Sequence, residues 1–441
     1  MFRDDGPLVA DEVVELRREI ERVALDLDRR EDLDPLIDRI GDARVVMLGE
    51  ASHGTSEYYS WRALISQRLI REKGFSFIAV EGDWPDCYRV NRYVKGYPGS
   101  GESAREVLHA FERWPTWMWA NWEVAALAEW MSRHNRSVAQ EEMVGFYGLD
   151  VYSLWESLEA IMGYLERADP EALETARRAY SCFEPYNEDV HSYAEATAFV
   201  PTSCEEEVVA LLAEVRGKAP RYPEDREASF DAEQNARSVV GAERYYRTMV
   251  RGSRESWNER DRHMMGTLEA LLEHHGSGAK AIVWEHNTHI GDARATDMAD
   301  SGMVNTGQLA RERYGQEGTV LVGFCSHHGS VIAGPFWGAP MERMTVPPAR
   351  EGSWEEIFHR AGARNRLLFT DRLSERARKF RDHRAIGVVY EPRRERFGNY
   401  VPTILPQRYD AFLFLERTEA LHPLHIEPRE PGPPETYPWG V

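Results

Sequence analysis

Four short apolar runs of this chain each end in residues that can move protons. Val45–Gly49 leads into Gly49-Glu50-Ala51-Ser52-His53-Gly54-Thr55, and Phe77–Glu81 into Gly82-Asp83-Trp84. Val144–Leu149 ends at Asp150, and Ala281–Glu285 runs on through His286-Asn287-Thr288-His289. Histidine titrates near neutrality, so His53 beside a carboxylate, Glu50 or Glu81, has the composition of a general base acting on water. Arg62, His286 and His289 are the candidate donors to an oxyanion, and Asp83, Trp84 and Asp150 the candidate substrate contacts. His53 precedes a helix that Thr55 would cap, and the positive end of that helix disfavours imidazolium. A carboxylate neighbour opposes this, and the residue types leave the balance open. Gly49 and Gly54 would let the loop turn sharply and approach a ligand.

Two other chemistries use the same residues. Glu50-x-x-His53 with His286-x-x-His289 could ligate a divalent metal that activates water. A Trp- and Tyr-rich cleft with histidines could instead bind a planar small ligand without catalysis. Neither is the primary expectation, which is metal- and cofactor-free. A G-x-S-x-G elbow, an H-E-x-x-H pair and a Walker loop are all absent from the sequence. Cys325, beside Ser326-His327-His328, is a weaker nucleophile candidate. The Trp114–Trp122 stretch, with Trp117 and Trp119 between, reads as a helix packed on the sheet before it reads as a ligand wall.

The elements that must position these groups follow from periodicity. The apolar runs, with Val320–Cys325, Ile386–Tyr390 and Ala411–Leu415, read as buried strands, and helical patterns such as Glu57–Lys73, closed by Gly74, lie between many of them. This predicts an α/β chain: a three-layer α/β/α fold with a mainly parallel sheet. From Ser153 to His275 no strand pattern occurs, while Glu205–Arg216, Ala228–Met249 and Trp257–His274 are amphipathic. The expected organisation is therefore 1–152 as the first part of the core, 153–275 as an all-helical insertion roofing the cleft, and 276–426 as the second part. Residues 427–441 form a Pro-rich tail.

Composition narrows the partners. The 441 residues carry 54 Lys+Arg against 74 Asp+Glu, a net charge of −20. Such a surface repels phosphate backbones and anionic lipid, so neither nucleic acid nor membrane is an expected partner. No run of about 18 apolar residues is present to span a bilayer. The N-terminus lacks a signal-peptide pattern, and the 4 cysteines are scattered. A cytoplasmic protein with free thiols is the expectation.

The motifs also carry a resemblance. LGEASHGTSEYYSWR (48–62), FIAVEGDWPDCYRVNRYV (77–94), GFYGLDVYS (145–153), NERDRHMMGTLEALL (258–272), WEHNTHI (284–290) and GSWEEIFHRAG (352–362) are similar, in order, to the erythromycin esterase family. The resemblance implies an α/β/α hydrolase acting on an ester or macrolide lactone. It also implies that His53 is the base, accompanied by Glu50, Arg62, Glu81, His286 and His289. The wider superfamily includes ChaN-like haem binders, the source of the non-catalytic alternative.

Overall fold

The computed structural model describes residues 10–186, 190–199, 203–218, 226–249 and 254–425. The N-terminal nine residues, the connector from 219 to 225 and the Pro-rich tail lie outside the described residues. The strands are β1 (Leu25–Asp26), β2 (Val45–Leu48), β3 (Phe77–Asp83), β4 (Gly145–Asp150), β5 (Ala281–Trp284), β6 (Thr319–Ala333), β7 (Glu342–Val346), β8 (Arg366–Phe369), β9 (Arg381–Arg384), β10 (Tyr400–Thr403) and β11 (Ala411–Thr418). A 9-stranded sheet has the order β1-β8-β11-β6-β2-β5-β3-β4, with β7 added alongside β6, and β9 and β10 form a separate ribbon. From β11 to β4 every neighbouring pair is parallel, whereas β1, β8 and β7 pair antiparallel. The mainly parallel sheet is as expected.

The central strands are buried on both faces, which is why they read as continuous apolar runs. Val46, Leu48, Ile78 and Val80 join one core cluster with Tyr58, Tyr59, Ile65 and Leu69 of the helix Ser56–Lys73. Val45, Met47, Phe77 and Ala79 join another with Met264, Leu268 and Leu271 of the helix Arg254–His274. Side chains alternate faces along a strand, so the two clusters are the two interfaces of a three-layer stack. Each fully buried Val, Leu or Ile here contributes about 1.5–3 kcal/mol. The helix Ser56–Lys73 ends as predicted at Gly74, whose φ of 68° is left-handed and whose N–H reaches the Leu69 carbonyl.

Between β4 and β5 lie the helices Leu154–Ala168, Leu173–Phe183, Val190–Phe199, Glu205–Lys218, Arg226–Met249 and Arg254–His274, with no strand among the described residues. They enclose a third cluster including Ile161, Phe183, Tyr193, Val239 and Tyr246. Polar ties fasten this layer to the core: Tyr246 donates to the Tyr152 carbonyl (3.1 Å) and Lys95 pairs with Glu227 (2.7 Å).

Three expectations are corrected. Ile386–Tyr390 is not a regular strand; Ile386 and Val389 make isolated bridges to Ser52 and Gly334, so their burial comes from packing across loops. The cysteines are not all free: Cys182 and Cys204, 22 residues apart, form a disulfide, while Cys87 and Cys325 are buried thiols. β6 runs eight residues past Cys325, where its apolar run opens into Ser326-His327-His328, because β7 covers its second half.

Candidate active site

The loop after β2 is stitched into place from several sides. The Ala51 carbonyl accepts from Ile386 N–H (2.8 Å), and the Gly54 carbonyl accepts from both Ile332 N–H (2.9 Å) and Leu421 N–H (3.0 Å). Ser56 N–H donates to the Glu419 carbonyl (2.9 Å). The loop glycines serve this packing and do not serve ligand approach. A Cβ on Gly54 would lie 1.8 Å from the Ile332 carbonyl oxygen, and one on Gly49 2.1 Å from Asn287 Oδ1. Thr55 is extended as an N-cap residue is, but its hydroxyl pairs with Ser52 and does not cap the helix.

This loop fixes a dyad. His53 Nδ1 lies 2.9 Å from Glu50 Oε1, and Glu50 Oε2 accepts from Arg62 Nη2 at 2.6 Å. The guanidinium of Arg62 is fully buried, 4.3 Å from the ring of Tyr59 and 4.6 Å from that of Trp284. With Nδ1 committed to a carboxylate, the His53 ring presents Nε2 to the cleft that it lines. Burial disfavours the imidazolium, but the Glu50 hydrogen bond and the charges of Glu81 and Glu50 outweigh it. The His53 pKa therefore stands above its ordinary value despite the opposing charge of Arg260. The balance that the residue types left open falls to the carboxylates.

A second hub is Arg260, on the helix Arg254–His274. Its Nε donates to Asp150 Oδ1 (2.9 Å), and its Nη2 to Asp150 Oδ2 (2.8 Å) and Glu81 Oε1 (2.7 Å). Its Nη1 lies 3.1 Å from His289 Nε2. His289 Nδ1 faces Asp261 at 2.9 Å, so that nitrogen carries the proton and Nε2 accepts from Arg260. The imidazole is stacked on Trp257, centroids 4.6 Å apart. The His286 backbone N–H donates to Glu81 Oε2 (2.8 Å). Burial opposes the Glu81 charge, but His289, Arg260 and His53 hold its carboxyl below the usual range. A guanidinium has five N–H bonds. Four of those on Arg260 are used by these partners, and the residue lines the cleft. One Nη1–H is left outside this network.

The cleft has a volume of about 80 Å³ and is lined by His53, Glu81, Asp83, Asp86, Asp150 and Arg260 on its polar side. Trp114, Trp119, Tyr152 and Trp337 supply aromatic wall. Of the predicted site residues, His53, Glu81, Asp83 and Asp150 reach it. Glu50, Arg62, His286 and His289 are gathered behind them and act on the lining residues instead. Arg62 and His289 are thus not placed as oxyanion donors: Arg62 is buried behind Glu50 and does not line the cleft, and His289 Nε2 accepts from Arg260. His286 Nδ1 is engaged with Thr288, 2.8 Å from its hydroxyl, and burial holds its pKa well below the ordinary value. Trp84 turns away altogether. It stacks between Tyr88 and Tyr147 in the opposite core and donates to Asp231 (2.8 Å). Asp83 pairs with Arg113 (2.9 Å), yet burial still pushes its carboxyl well up. The Trp-rich stretch divides its roles: Trp117 is core, Trp122 is half exposed, and Trp114 and Trp119 face the cleft.

Arg260 and Asp261 are the residues that sequence reasoning missed as site groups. The available signal was their position. Trp257, Met264, Leu268 and Leu271 form the buried stripe of this helix, and Arg260 and Asp261 sit on it. Charge on an apolar stripe requires a partner.

The competing chemistries fit poorly. Two of the four expected metal ligands are already engaged: both Glu50 oxygens and both His289 nitrogens have partners. Among the described residues the groups with metal-ligating spacing do not include Glu50, His53, His286 or His289. Cys325 is fully buried, and that burial pushes its thiol well up, so it is no nucleophile.

The erythromycin esterase sequence model matches residues 70–418. An erythromycin esterase type II of Escherichia coli is 23% identical over 374 residues, 79% of this chain and 85% of that protein. A putative hydrolase of Bacillus subtilis (strain 168), YbfO, is 22% identical over 430 residues, 90% of each. Among solved structures, one described as a succinoglycan biosynthesis protein superposes with a TM-score of 0.75 at 21% identity, covering 96% of this chain and 100% of that one. An erythromycin esterase mutant in an open conformation superposes with a TM-score of 0.67 at 18% identity, covering 90% and 97%. Family match, chain-long relatives and shared fold agree, and this chain belongs to the erythromycin esterase family.

Proposed function

We propose that this hydrolase cleaves a carboxylic ester or lactone by direct attack of water, with His53 as general base. The observation that carries the reading is that the buried Glu50–His53 dyad and Arg260 meet at one cleft, which His53 and Arg260 both line. Neutral His53 takes a proton at Nε2 as the water oxygen bonds to the carbonyl carbon. Glu50 stabilises the imidazolium so formed, and Arg62 holds Glu50 in place. The carbonyl oxygen gains the negative charge, which Arg260 Nη1–H accommodates. Collapse breaks the bond to the leaving oxygen, which recovers the proton from His53, giving acid and alcohol. Glu81 and Asp150 hold the guanidinium so that it need not reorganise during the reaction.

The cleft, at about 80 Å³, lies below the roughly 300–1,000 Å³ of small-molecule sites, so it would have to widen for a macrolide ring, while its Trp-lined wall suits the apolar part of an ester or lactone. Mass spectrometry of a panel of macrolides and simple esters, looking for an added water, tests the reading. The expected result is a hydrolysed product whose kcat falls about 10²–10⁴-fold in His53→Ala. Near-wild-type turnover by folded His53→Ala would overturn the mechanism.

A further inference from the structure

Away from the cleft, one carboxylate oxygen is ringed by imidazoles. Glu416 Oε1 lies 2.8 Å from His359 Nδ1, 3.6 Å from His327 Nδ1 and 3.9 Å from His328 Nδ1, and the last two nitrogens are 3.1 Å apart. In a tetrahedral zinc site with bonds of about 2.0–2.1 Å, ligand atoms stand roughly 3.3 Å from one another. The observed separations bracket that value. Among the described residues, His327, His359 and Glu416 are the group of metal-ligating side chains whose donor atoms lie within 4.8 Å of one another.

The scaffold sets this arrangement. β6 and β11 are parallel, with Ser326 opposite Leu415 and His328 opposite Arg417, so His327 and Glu416 fall side by side on neighbouring strands. His359 comes from the last turn of the helix Trp354–Ala361. Its ring stacks on His327 with centroids 3.7 Å apart. Two imidazoles in face contact do not readily both carry charge, so at least one offers a neutral lone pair. His327 is mostly covered, while His359, His328 and Glu416 have side-chain exposures of 34%, 38% and 19%, which leaves an entry path.

We propose that His327, His359 and Glu416, with His328 or water as the fourth ligand, form a binding site for a divalent transition metal, Zn²⁺ in particular. Imidazole nitrogen with a single carboxylate selects Zn²⁺, Co²⁺ or Ni²⁺ over Mg²⁺ and Ca²⁺, which need more oxygen ligands. The bound ion would tie β6, β11 and the helix Trp354–Ala361 together. The site shares no residue with the His53 cleft and does not depend on the hydrolytic reading.

The test uses full-length protein without a histidine tag, stripped with chelator and titrated with ZnCl₂ by calorimetry and with CoCl₂ by visible absorption. The expected result is one equivalent of Zn²⁺, a Co²⁺ band of tetrahedral intensity displaced by Zn²⁺, and no response to MgCl₂. Glu416→Gln and His327→Ala, confirmed folded by circular dichroism, should each weaken binding at least about tenfold, the scale of losing a metal-site group. His53→Ala should bind as wild type does. Stoichiometric binding that survives both variants, or that disappears in His53→Ala, overturns the assignment. So does wild-type protein that gives neither calorimetric heat nor a Co²⁺ band.

Discussion

Replacing Glu50 by glutamine removes the anion that both grips the His53 ring and neutralises Arg62. The His53 Nδ1–Glu50 Oε1 contact is 2.9 Å between side chains only 3% and 1% exposed, so solvent screens it little. A buried hydrogen bond to a charged group is worth about 1.5–3 kcal/mol. At 1.36 kcal/mol per pKa unit, its loss lowers the His53 pKa by about 1–2 units. The same energy, withdrawn from the imidazolium formed at the transition state, slows the reaction by roughly 10–10²-fold. The sign follows from the role of His53. A base must be neutral, so the rate climbs as pH rises through its pKa, and a lowered pKa moves that acid limb to lower pH. Initial rates on an activated aryl ester between pH 5 and 9, corrected for spontaneous hydrolysis, give both quantities. Glu50→Gln also strands Arg62, which is fully buried, and breaking a buried pair costs about 3–5 kcal/mol. The double variant Glu50→Gln/Arg62→Met therefore serves as control: it should regain stability without regaining rate. An acid limb that stays in place, or a rate restored in the double variant, refutes the reasoning.

Other outcomes follow from the same contacts. Arg260→Lys keeps the charge but loses the fork that meets Asp150, Glu81 and His289; kcat should fall by about 10²–10³ with little change in KM, and an unchanged kcat would remove Arg260 from the oxyanion role. Thiol titration of denatured, unreduced protein should find two groups, Cys87 and Cys325, and four after reduction; four at the outset would mean that Cys182 and Cys204 remain unjoined in the producing compartment. Burial pushes the Asp231 carboxyl up to about 7, so the folded chain keeps a proton that the unfolded chain releases as pH rises from about 4 to 7. Stability is lost across that window. Asp231→Asn, which still accepts from Trp84, should gain in melting temperature over wild type progressively from pH 4 to 7, and a constant difference would contradict this.

The parallel strands were legible because burial on both faces writes them as unbroken apolar runs, and the His53 loop because its residues follow such a run directly. The elements that escaped have a different cause. β8, Arg366–Phe369, is four residues long and antiparallel at the margin of the sheet, too short for a period to declare itself. Ile386–Tyr390 has the composition of a strand but its backbone is bonded piecemeal to loops. Trp84 and Asp83 are neighbours, yet one faces the cleft and the other the opposite core, a distinction that depends on where the strand gives way to the helix. Arg260 hid within an otherwise ordinary amphipathic helix. The gathering of 50–53, 81 and 286–289 was readable from strand ends; that half of the group stands behind the other half was not, since depth is set by neighbours from distant parts of the chain.

The Gly54 carbonyl, shared between Ile332 and Leu421, ties the loop that bears His53 to biosynthetic timing. A nascent polypeptide that has emerged only as far as β5 already contains Glu50, His53, Glu81 and Arg260, but the loop bearing His53 still lacks both of its distant anchors. The loop therefore gains its last anchor only after some 370 further residues beyond His53 have left the ribosome, and premature termination shortly before Leu421 leaves the Gly54 carbonyl held by Ile332 alone.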